Sequence, residues 1–282
     1  MAATLEIVIP LRNPTNVLEN TVRSLVHQKA KTFSVLFSDN FSTQGREIIE
    51  SSAGALRAAG LAVRVVKPPE ELGRVEHWNW SHRQATADWI KPLFVGDWLE
   101  PIYVTRVLQA MEDWPGVEII NCSFVTHLAD GDPTEVIYRG GVRSPEEVMA
   151  DACKEGNCFG GPISICFRKL AFEIIGGYPP ALPVSADFWL ILQLALRKGL
   201  ATCPEPLAHF NCHSARFSAN FPWKRIHGDR ELFIILMAAT SAANFTQIPV
   251  NLPARNRFFA RLFKRNTRSW IARRFSRPHQ PA

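Results

Sequence analysis

Short β-type runs alternate with helix-type segments along the first hundred residues, and this alternation limits the possible folds more than any other feature of the sequence. The first run, Leu5–Pro10, is apolar like a buried strand and ends at a proline, which the middle of a central strand does not tolerate. Because parallel strands need crossover connections, the alternation predicts a parallel, doubly wound sheet. The predicted strands are 5–10, 33–37, 61–66 and 89–95, and the predicted helices between them are 16–29, 45–59 and 74–86.

The first predicted helix has an apolar face and two candidate N-caps. Asparagine and threonine side chains accept hydrogen bonds from the free N–H groups at a helix start, so Asn13 or Thr15 is expected to cap it. The residues expected on its buried face are Val17, Val22, Leu25 and Val26.

The pattern becomes looser after residue 115. Strands are predicted at 117–125, 136–138 and 163–167, and helices at 169–175 and 186–197, both followed by glycine. The chain has 282 residues, of which 46% are hydrophobic, and this suffices for one large α/β domain. The predicted division is an α/β domain at 1–220, a helical appendage at 221–253, and a basic amphipathic or disordered tail at 254–282.

The net charge of +6 is concentrated in the tail. No acidic residue follows Glu231, whereas nine lysines and arginines do, so residues 1–231 carry a net charge of −3. A protein with a nucleic-acid groove usually carries lysines and arginines across its folded surface. The negative net charge of residues 1–231 therefore argues against a nucleic-acid partner. A basic helix with an apolar face instead favours an anionic membrane surface, contacted through residues 254–277.

Cysteine spacing and the distribution of apolar residues predict a cytoplasmic protein, peripheral on the membrane at most. The six cysteines form no C-x-x-C pair and no zinc-finger spacing, which is typical of buried thiols in a reducing compartment. The N-terminus lacks a signal-peptide pattern, and no apolar run approaches the roughly 20 residues that a membrane-spanning helix needs.

Three aspartates lie where parallel sheets bind ligands or where helices begin. Asp39 follows the second predicted strand, where it can accept hydrogen bonds from a nucleotide, or form an Asx-turn or a helix N-cap. Asp97 is placed at the end of the fourth predicted strand, where it can hold Mg²⁺ or Mn²⁺ against a diphosphate or cap a helix. Asp187, flanked by Phe188 and Trp189, can act as a general base of raised pKa or as a partner of the helix dipole.

Two later residues have similar alternatives. His213 can be a metal ligand or a phosphate contact, or it can be structural. Arg216 can neutralise phosphate charge through its planar fork, or it can be an ordinary surface arginine.

The order and spacing of these residues resemble the inverting family 2 glycosyltransferases of the GT-A fold. Residues 7–13 (IVIPLRN) resemble the opening strand and loop of that family, and residues 20–28 (NTVRSLVHQ) resemble the helix that follows. Residues 38–43 (SDNFST) stand at its first aspartate motif, and residues 94–101 (FVGDWLEP) at its metal loop. The remaining matches are 77–80 (HWNW), 87–91 (ADWIK), 176–178 (GGY) and 186–187 (AD).

The resemblance, which covers roughly residues 5–218, implies a GT-A, mostly parallel α/β sheet and assigns roles at matching positions. Asp187 would deprotonate an acceptor hydroxyl, and Asp97 would face the diphosphate of a nucleotide-sugar donor and its divalent cation. The implied acceptor is a glycan or a lipid-linked saccharide, in surface polysaccharide synthesis. The residues implied to bind the donor are Pro10, Asn13, Asp39, Asn79, Asp97, His213 and Arg216, with His213 as a second metal ligand.

Three departures from the family pattern leave an alternative open. Gly96 stands where the metal loop usually has a second acid, Asn40 replaces an acid after the second strand, and Ala186 replaces the usual Glu before the base. A pseudoenzyme that binds nucleotide sugar or glycan without turnover is therefore the alternative to an active transferase.

The tail hypothesis predicts membrane binding that depends on residues 254–282. In flotation with anionic vesicles, we expect the full chain to rise with the vesicles and residues 1–253 to stay behind, because each cation near an anionic leaflet contributes on the order of 1 kcal/mol. Equal flotation of both proteins would contradict the hypothesis.

Overall fold

Strands and helices alternate along the N-terminal half of the protein as predicted from the sequence. The computed structural model describes residues 4–128, 131–155 and 157–212, together with Asp229 and Leu232. The strands are β1 (Leu5–Leu11), β2 (Ser34–Asp39), β3 (Ala62–Val66), β4 (Trp89–Pro92), β5 (Trp98–Leu99), β6 (Ile119–Leu128), β7 (Thr134–Val136), β8 (Gly141–Arg143), β9 (Ile165–Arg168) and β10 (Leu200–Cys212). The helices are α1 (Leu18–Val26), α2 (Arg46–Ala58), α3 (Arg74–Arg83), α4 (Tyr103–Asp113), α5 (Pro145–Glu155), α6 (Lys169–Ile174) and α7 (Ala186–Lys198).

All ten strands belong to one mixed sheet. Its main path runs β3-β2-β1-β4-β9-β6-β10-β5, with β7 paired to β6 and β8 paired to β10. The pairings among β1, β2, β3 and β4 are parallel, as is that of β10 with β6, whereas the other five are antiparallel. Strand β9 is antiparallel to both of its neighbours, so the carboxyl ends of β1, β2, β4, β6 and β10 share one edge of the sheet.

Two apolar cores cover the two faces of this sheet. Successive side chains of a strand point to opposite faces, and in β1 Ile7 and Ile9 therefore enter one core while Val8 enters the other. Helices α1, α2 and α4 pack on the first face, and α3, α5, α6 and α7 on the second. The sheet thus lies between two helical layers, as the doubly wound prediction requires.

The start of α1 differs from the prediction. Neither Asn13 nor Thr15 caps it through a side chain; instead the Thr15 carbonyl accepts the Leu18 N–H at 2.9 Å. Val17 precedes the helix and is exposed, so it is not on the buried face. That face consists of Leu18, Thr21, Val22 and Leu25, with Val26 partly buried against the same core.

The 13-residue strand β10 was not predicted from the sequence. Pro204 and Pro206 interrupt its apolar pattern, and a proline cannot donate to a strand ladder. The structure accommodates them by register shifts against β6, between Cys203 and Pro206 and between Pro206 and Ala208. Helix α5 and strand β8 were also missed, since neither carries a clear period in the sequence.

Three of the five described cysteines are buried, as the sequence predicts for most of them. Cys122, Cys166 and Cys203 are buried, and Cys158 and Cys212 are half-buried; none of these five forms a disulfide. Burial raises the pKa of Cys122 to about 12 and that of Cys203 to about 11, so both stay protonated. Within the described ranges, no helix combines the length and apolar character needed to cross a bilayer.

The side chain of Gln28 joins α1 to α4 and gives a first test of the fold. Its amide nitrogen donates to the Glu100 carbonyl at 2.8 Å, and its oxygen accepts the buried N–H of Val104 at 3.0 Å. We expect Gln28→Ala to lower the free energy of unfolding by about 1–3 kcal/mol, because the buried Val104 N–H loses its acceptor, although the Glu100 carbonyl still accepts the Tyr103 N–H. Urea denaturation measures the loss, and Gln109→Ala on the exposed side of α4 should stay within about 0.5 kcal/mol of the parent. A Gln28 variant as stable as the parent would contradict the assignment.

Candidate active site

The carboxyl edge of the sheet brings Asp39 to the position where doubly wound folds bind ligands. Asp39 is the last residue of β2 and is 8% exposed. Its Oδ1 accepts the Ser42 N–H at 3.0 Å, a local side-chain-to-backbone bond that closes a turn one residue longer than an Asx-turn. A turn of this kind leaves the carboxylate at the edge, and its donor contact stays a prediction.

Asn13 connects the loops that follow β1 and β2. Its backbone has a φ of 47°, its N–H donates to Ser42 Oγ at 2.8 Å, and its side-chain oxygen accepts the Thr43 N–H at 2.8 Å. Pro10 lies below it within β1, buried and in register with Ser38. Asn13 therefore positions the loop around Asp39, and a direct contact with a donor remains untested for both Asn13 and Pro10.

A polar network lies behind Asp39 on the α3 side of the sheet. Ser38 Oγ and His77 Nε2 are 2.9 Å apart, and Ser81 Oγ donates to Ser38 Oγ at 2.7 Å. Burial lowers the pKa of His77 to about 4, although the nearby Asp39 opposes this shift. The imidazole is therefore neutral at physiological pH, and the Asp39 carboxylate is not neutralised by a buried histidinium.

Asp97 occupies a second corner of the same edge. It is 1% exposed, and its Oδ1 accepts the Asn211 N–H of β10 at 3.0 Å. Thr21 Oγ1 donates to the Asp97 carbonyl at 2.8 Å and accepts the Gly96 N–H at 3.0 Å, which fixes the turn to α1. The prediction that Asp97 ends β4 is wrong: β4 stops at Pro92, and the Asp97 N–H instead closes a turn by donating to the Phe94 carbonyl at 3.0 Å.

The residues described at this corner do not form a complete metal site. Asp97 supplies one carboxylate, and Gly96 stands where a second would be. In the described part of the chain, no group of three or more His, Cys, Asp or Glu side chains is arranged to hold an ion. His213 and Arg216, predicted as metal and phosphate contacts, lie outside the described residues. The divalent cation remains a prediction.

Asp187 is in the first turn of α7 and faces a tight loop. It is half-buried, and its Oδ1 accepts the Phe188 N–H at 2.8 Å. A Cβ added to Gly161 would lie 3.6 Å from Asp187 Oδ2, so the backbone at Gly161 closes in on the carboxylate. Burial raises the pKa of Asp187 to about 6, against the opposing effects of the Phe188 N–H and of the positive charge of Arg74.

Two charged residues that were not predicted surround this carboxylate. Arg74 begins α3, donates to the Pro183 carbonyl and stacks on Trp78 with its guanidinium carbon 4.3 Å from the ring centroid. Burial lowers its pKa to about 10, whereas Asp187 and Asp229 raise it. Asp229 is buried and accepts the Val184 N–H at 2.8 Å just before α7. Their sequence neighbours give no sign of this arrangement, because the three side chains come from distant segments.

Asn79 lies in α3 and binds the segment that follows α6. Its amide nitrogen donates to the Tyr178 carbonyl at 2.7 Å, and its oxygen accepts the Tyr178 N–H at 2.8 Å. Gly177 has a φ of 84°, and a Cβ there would lie 2.4 Å from Asn79 Oδ1, so this contact requires glycine. The amide of Asn79 is thus engaged on both sides in packing, and its predicted donor contact is untested.

The loop before α3 connects the part of the site around Asp39 to the part around Asp187. Asn40, directly after Asp39, exchanges two hydrogen bonds with the backbone of Leu72, at 2.8 and 3.0 Å. Arg74 follows two residues later and extends to the α7 side. The loop before α3 therefore joins the Asp39 corner to the Asp187 corner.

Comparisons with known proteins agree with this architecture. The sequence model of Glycosyl transferase family 2 matches residues 6–165. An uncharacterized glycosyltransferase of Haemophilus influenzae is 26% identical over 223 residues, which cover 77% of this chain and 71% of that protein. The structure of S. aureus TarS 1–349 in complex with UDP-GlcNAc is similar with a TM-score of 0.66 at 12% identity, over 82% of this chain and 66% of that one.

A second solved structure extends the similarity of fold. The mannosyltransferase PcManGT from Pyrobaculum calidifontis, in complex with GDP-Man and Mn²⁺, matches with a TM-score of 0.54 at 16% identity, over 91% of this chain and 69% of that one. The fold is therefore that of the GT-A transferases. The family match covers more than half of the chain, and the chain belongs to glycosyl transferase family 2. It is a glycosyltransferase by family.

The raised pKa of Asp187 predicts a pH-dependent gain in stability when its charge is removed. The native pKa of about 6 exceeds the ordinary aspartate value, so the ionised side chain destabilises the native state, and stability declines as pH rises from about 4 to 6. We expect Asp187→Asn to raise the free energy of unfolding by about 1–3 kcal/mol at pH 8, with the gain vanishing near pH 4. Denaturation at both pH values measures the difference.

Asp113→Asn, which changes an exposed carboxylate on α4, is the matched control and should show no such pH-dependent gain. A stability loss in Asp187→Asn at pH 8 would refute the prediction.

Proposed function

We propose that the protein is an inverting glycosyltransferase that moves a sugar from a nucleoside-diphosphate donor to a hydroxyl of a glycan or lipid-linked acceptor, with Asp187 as the general base. The observation that carries this proposal is the half-buried carboxylate of Asp187, whose pKa of about 6 lies near the operating pH. A base of such pKa is ionised at neutral pH and is still basic enough to accept a proton in the transition state.

The proposed step is a single displacement. As the acceptor oxygen forms its bond to the anomeric carbon, its proton moves to a carboxylate oxygen of Asp187. The bond from that carbon to the diphosphate oxygen breaks on the opposite face of the sugar, and its electron pair leaves with the nucleoside diphosphate. The adjacent Arg74 keeps Asp187 ionised before the proton arrives, since its positive charge lowers the pKa of the carboxyl group.

The donor is assigned to the edge that includes Asp39 and Asp97. Pro10, Asn13 and Asp39 surround the carboxyl ends of β1 and β2, and Asp97 occupies the corner beside β10. TarS with UDP-GlcNAc and PcManGT with GDP-Man support a nucleotide sugar as the donor class, without selecting a base or a sugar. Donor contacts by Asn79, His213 and Arg216, and a Mg²⁺ or Mn²⁺ ion at Asp97 and His213, belong to the same proposal.

The acceptor and the location of the protein complete this proposal. A role in surface polysaccharide synthesis, at the cytoplasmic face of a membrane contacted through residues 254–277, is supported by the basic tail of the sequence. Glycine at position 96 supports the alternative of a pseudoenzyme that binds the donor without turnover, because the family resemblance implies a second metal-binding carboxylate beside Asp97 and none stands there.

Replacing Asp187 by asparagine tests the base directly. We expect Asp187→Asn to reduce donor hydrolysis or transfer by 10²–10⁴-fold, because the amide cannot accept the hydroxyl proton. Its affinity for the nucleoside diphosphate should stay within about twofold, since binding and proton transfer use different residues. Turnover is measured with a panel of UDP- and GDP-sugars, and affinity by calorimetry with UDP and GDP.

The controls separate the alternatives. Asp113→Asn should keep full turnover. Full activity in Asp187→Asn would show that the base is another residue. A parent chain that binds nucleoside diphosphate but neither hydrolyses nor transfers any donor would favour the pseudoenzyme.

A further inference from the structure

Among the described residues, Lys91 in β4 is the largest fully buried side chain that carries a charge, and the proposed reaction does not use it. Its side chain is fully buried, and its ammonium donates to three backbone carbonyls: those of Pro92 at 2.8 Å, Pro162 at 2.9 Å and Ile163 at 2.6 Å. Three acceptors match the three N–H groups of a protonated lysine. The side chain therefore links the end of β4 to the segment before β9.

That segment, Phe159–Ile163, is named the base loop because its Gly161 lies against Asp187. Each of its five backbone carbonyls accepts a hydrogen bond from a side chain or a turn N–H, and none of these bonds is part of strand pairing. Asn121 Nδ2 donates to Phe159 at 3.1 Å, Asn157 Nδ2 to Gly160 at 3.0 Å, and Ser164 to Gly161 at 3.0 Å through both its N–H and its Oγ. Lys91 binds the remaining two, Pro162 and Ile163.

The base loop determines how closely the backbone approaches the base. The carboxylate of Asp187 has Gly161 as its neighbour, with only 3.6 Å between Oδ2 and the position of an added Cβ. A shift of the loop by 1 Å would change both the room for an acceptor hydroxyl and the exposure of the carboxylate. Alignment errors of that size reduce rates by about 10²-fold in enzymes.

The other end of the Lys91 contact leads towards Asp97. The part of the sheet edge around Asp97, where the donor diphosphate is proposed to bind, is named the donor corner. Pro92 closes β4, and the chain reaches Asp97 five residues later. Burial lowers the pKa of Lys91 to about 8, while the neighbouring Cys122, Cys166 and Asp97 oppose the shift. Lys91 thus connects the end of β4, five residues before Asp97, to the loop that borders Asp187.

We propose that Lys91 is a positioning residue for glycosyl transfer. By binding the base loop to the end of β4, it fixes the position of this loop, which borders Asp187, relative to the donor corner. This inference rests on the proposed function, in which Asp187 is the base. Burying an ammonium costs far more than burying an apolar chain of similar length, so packing alone does not account for a lysine here. The hydrogen bonds from Lys91 to three carbonyls in two separate segments account for a lysine at this position.

Lys91→Met tests the proposal, with Gln28→Ala as the matched control, because Gln28 joins α1 to α4 on the face of the sheet opposite to α7. In Lys91→Met we expect kcat for donor hydrolysis to fall by about 10²-fold, while the Kd for UDP or GDP changes less than threefold. Amide hydrogen exchange should accelerate in peptides covering 157–168 and stay unchanged around Gln28. Gln28→Ala should keep kcat within about twofold at a temperature where both variants are folded.

A second variant covers the case in which the methionine chain does not fold. Lys91→Arg keeps the buried charge, but its planar fork cannot donate to three carbonyls that converge on one nitrogen, so it should also lose kcat and loosen residues 157–168. Unchanged exchange in this segment, or a loss of kcat no larger than that of Gln28→Ala at equal loss of stability, would overturn the proposal.

The two proposals fail separately. If the parent chain turns over no donor, the proposed function fails, and hydrogen exchange in the Lys91 variants still shows whether the lysine holds the base loop. If the parent is active and the Lys91 variants keep both kcat and slow exchange, only the positioning role fails.

Discussion

The parallel pairing of β1 with β2 on one side and β4 on the other is the constraint on which the rest of the structure depends. Parallel neighbours cannot be joined by a hairpin, so each connection crosses a face of the sheet as a helix, and both faces become buried. The same pairing directs the carboxyl ends of the strands to one edge. Polar side chains that follow them, among them Asp39, therefore gather at that edge although they are far apart in sequence.

Burial of charge gives this edge its chemical character. Asp187, Arg74 and Lys91 are each shifted towards the neutral form by loss of water, and in each case a nearby opposite charge works against the shift. For Asp187 the balance leaves a carboxylate that titrates near neutrality, as a general base requires. For Lys91, the ammonium donates to three carbonyls from two segments, and these hydrogen bonds offset part of the energetic cost of its burial.

Local patterns were sufficient where a residue's role depends on its neighbours in sequence. The apolar run of β1, the glycine after α7 and the position of Asp187 in a first helical turn are all visible in the sequence and present in the structure. Asn13 and Asn79 were recognised as site candidates, but their hydrogen bonds to Thr43 and Tyr178 come from loops that sequence periodicity does not place. Strand β10 was missed because its prolines conceal the pattern, and the shifts against β6 that accommodate them exist only once the strands pair.

The sequence by itself determined the class of fold, the family and the identity of the proposed base, because strand–helix alternation and motif order are local properties of the chain. Tertiary structure alone decided the surroundings of that base. Arg74, Asp229, Gly161 and Lys91 belong to four separate segments, and nothing in their sequence neighbours relates them to Asp187. Their effect is electrostatic and geometric: it depends on distances through folded, water-poor space, and such distances exist only after the sheet has formed and its helices have packed.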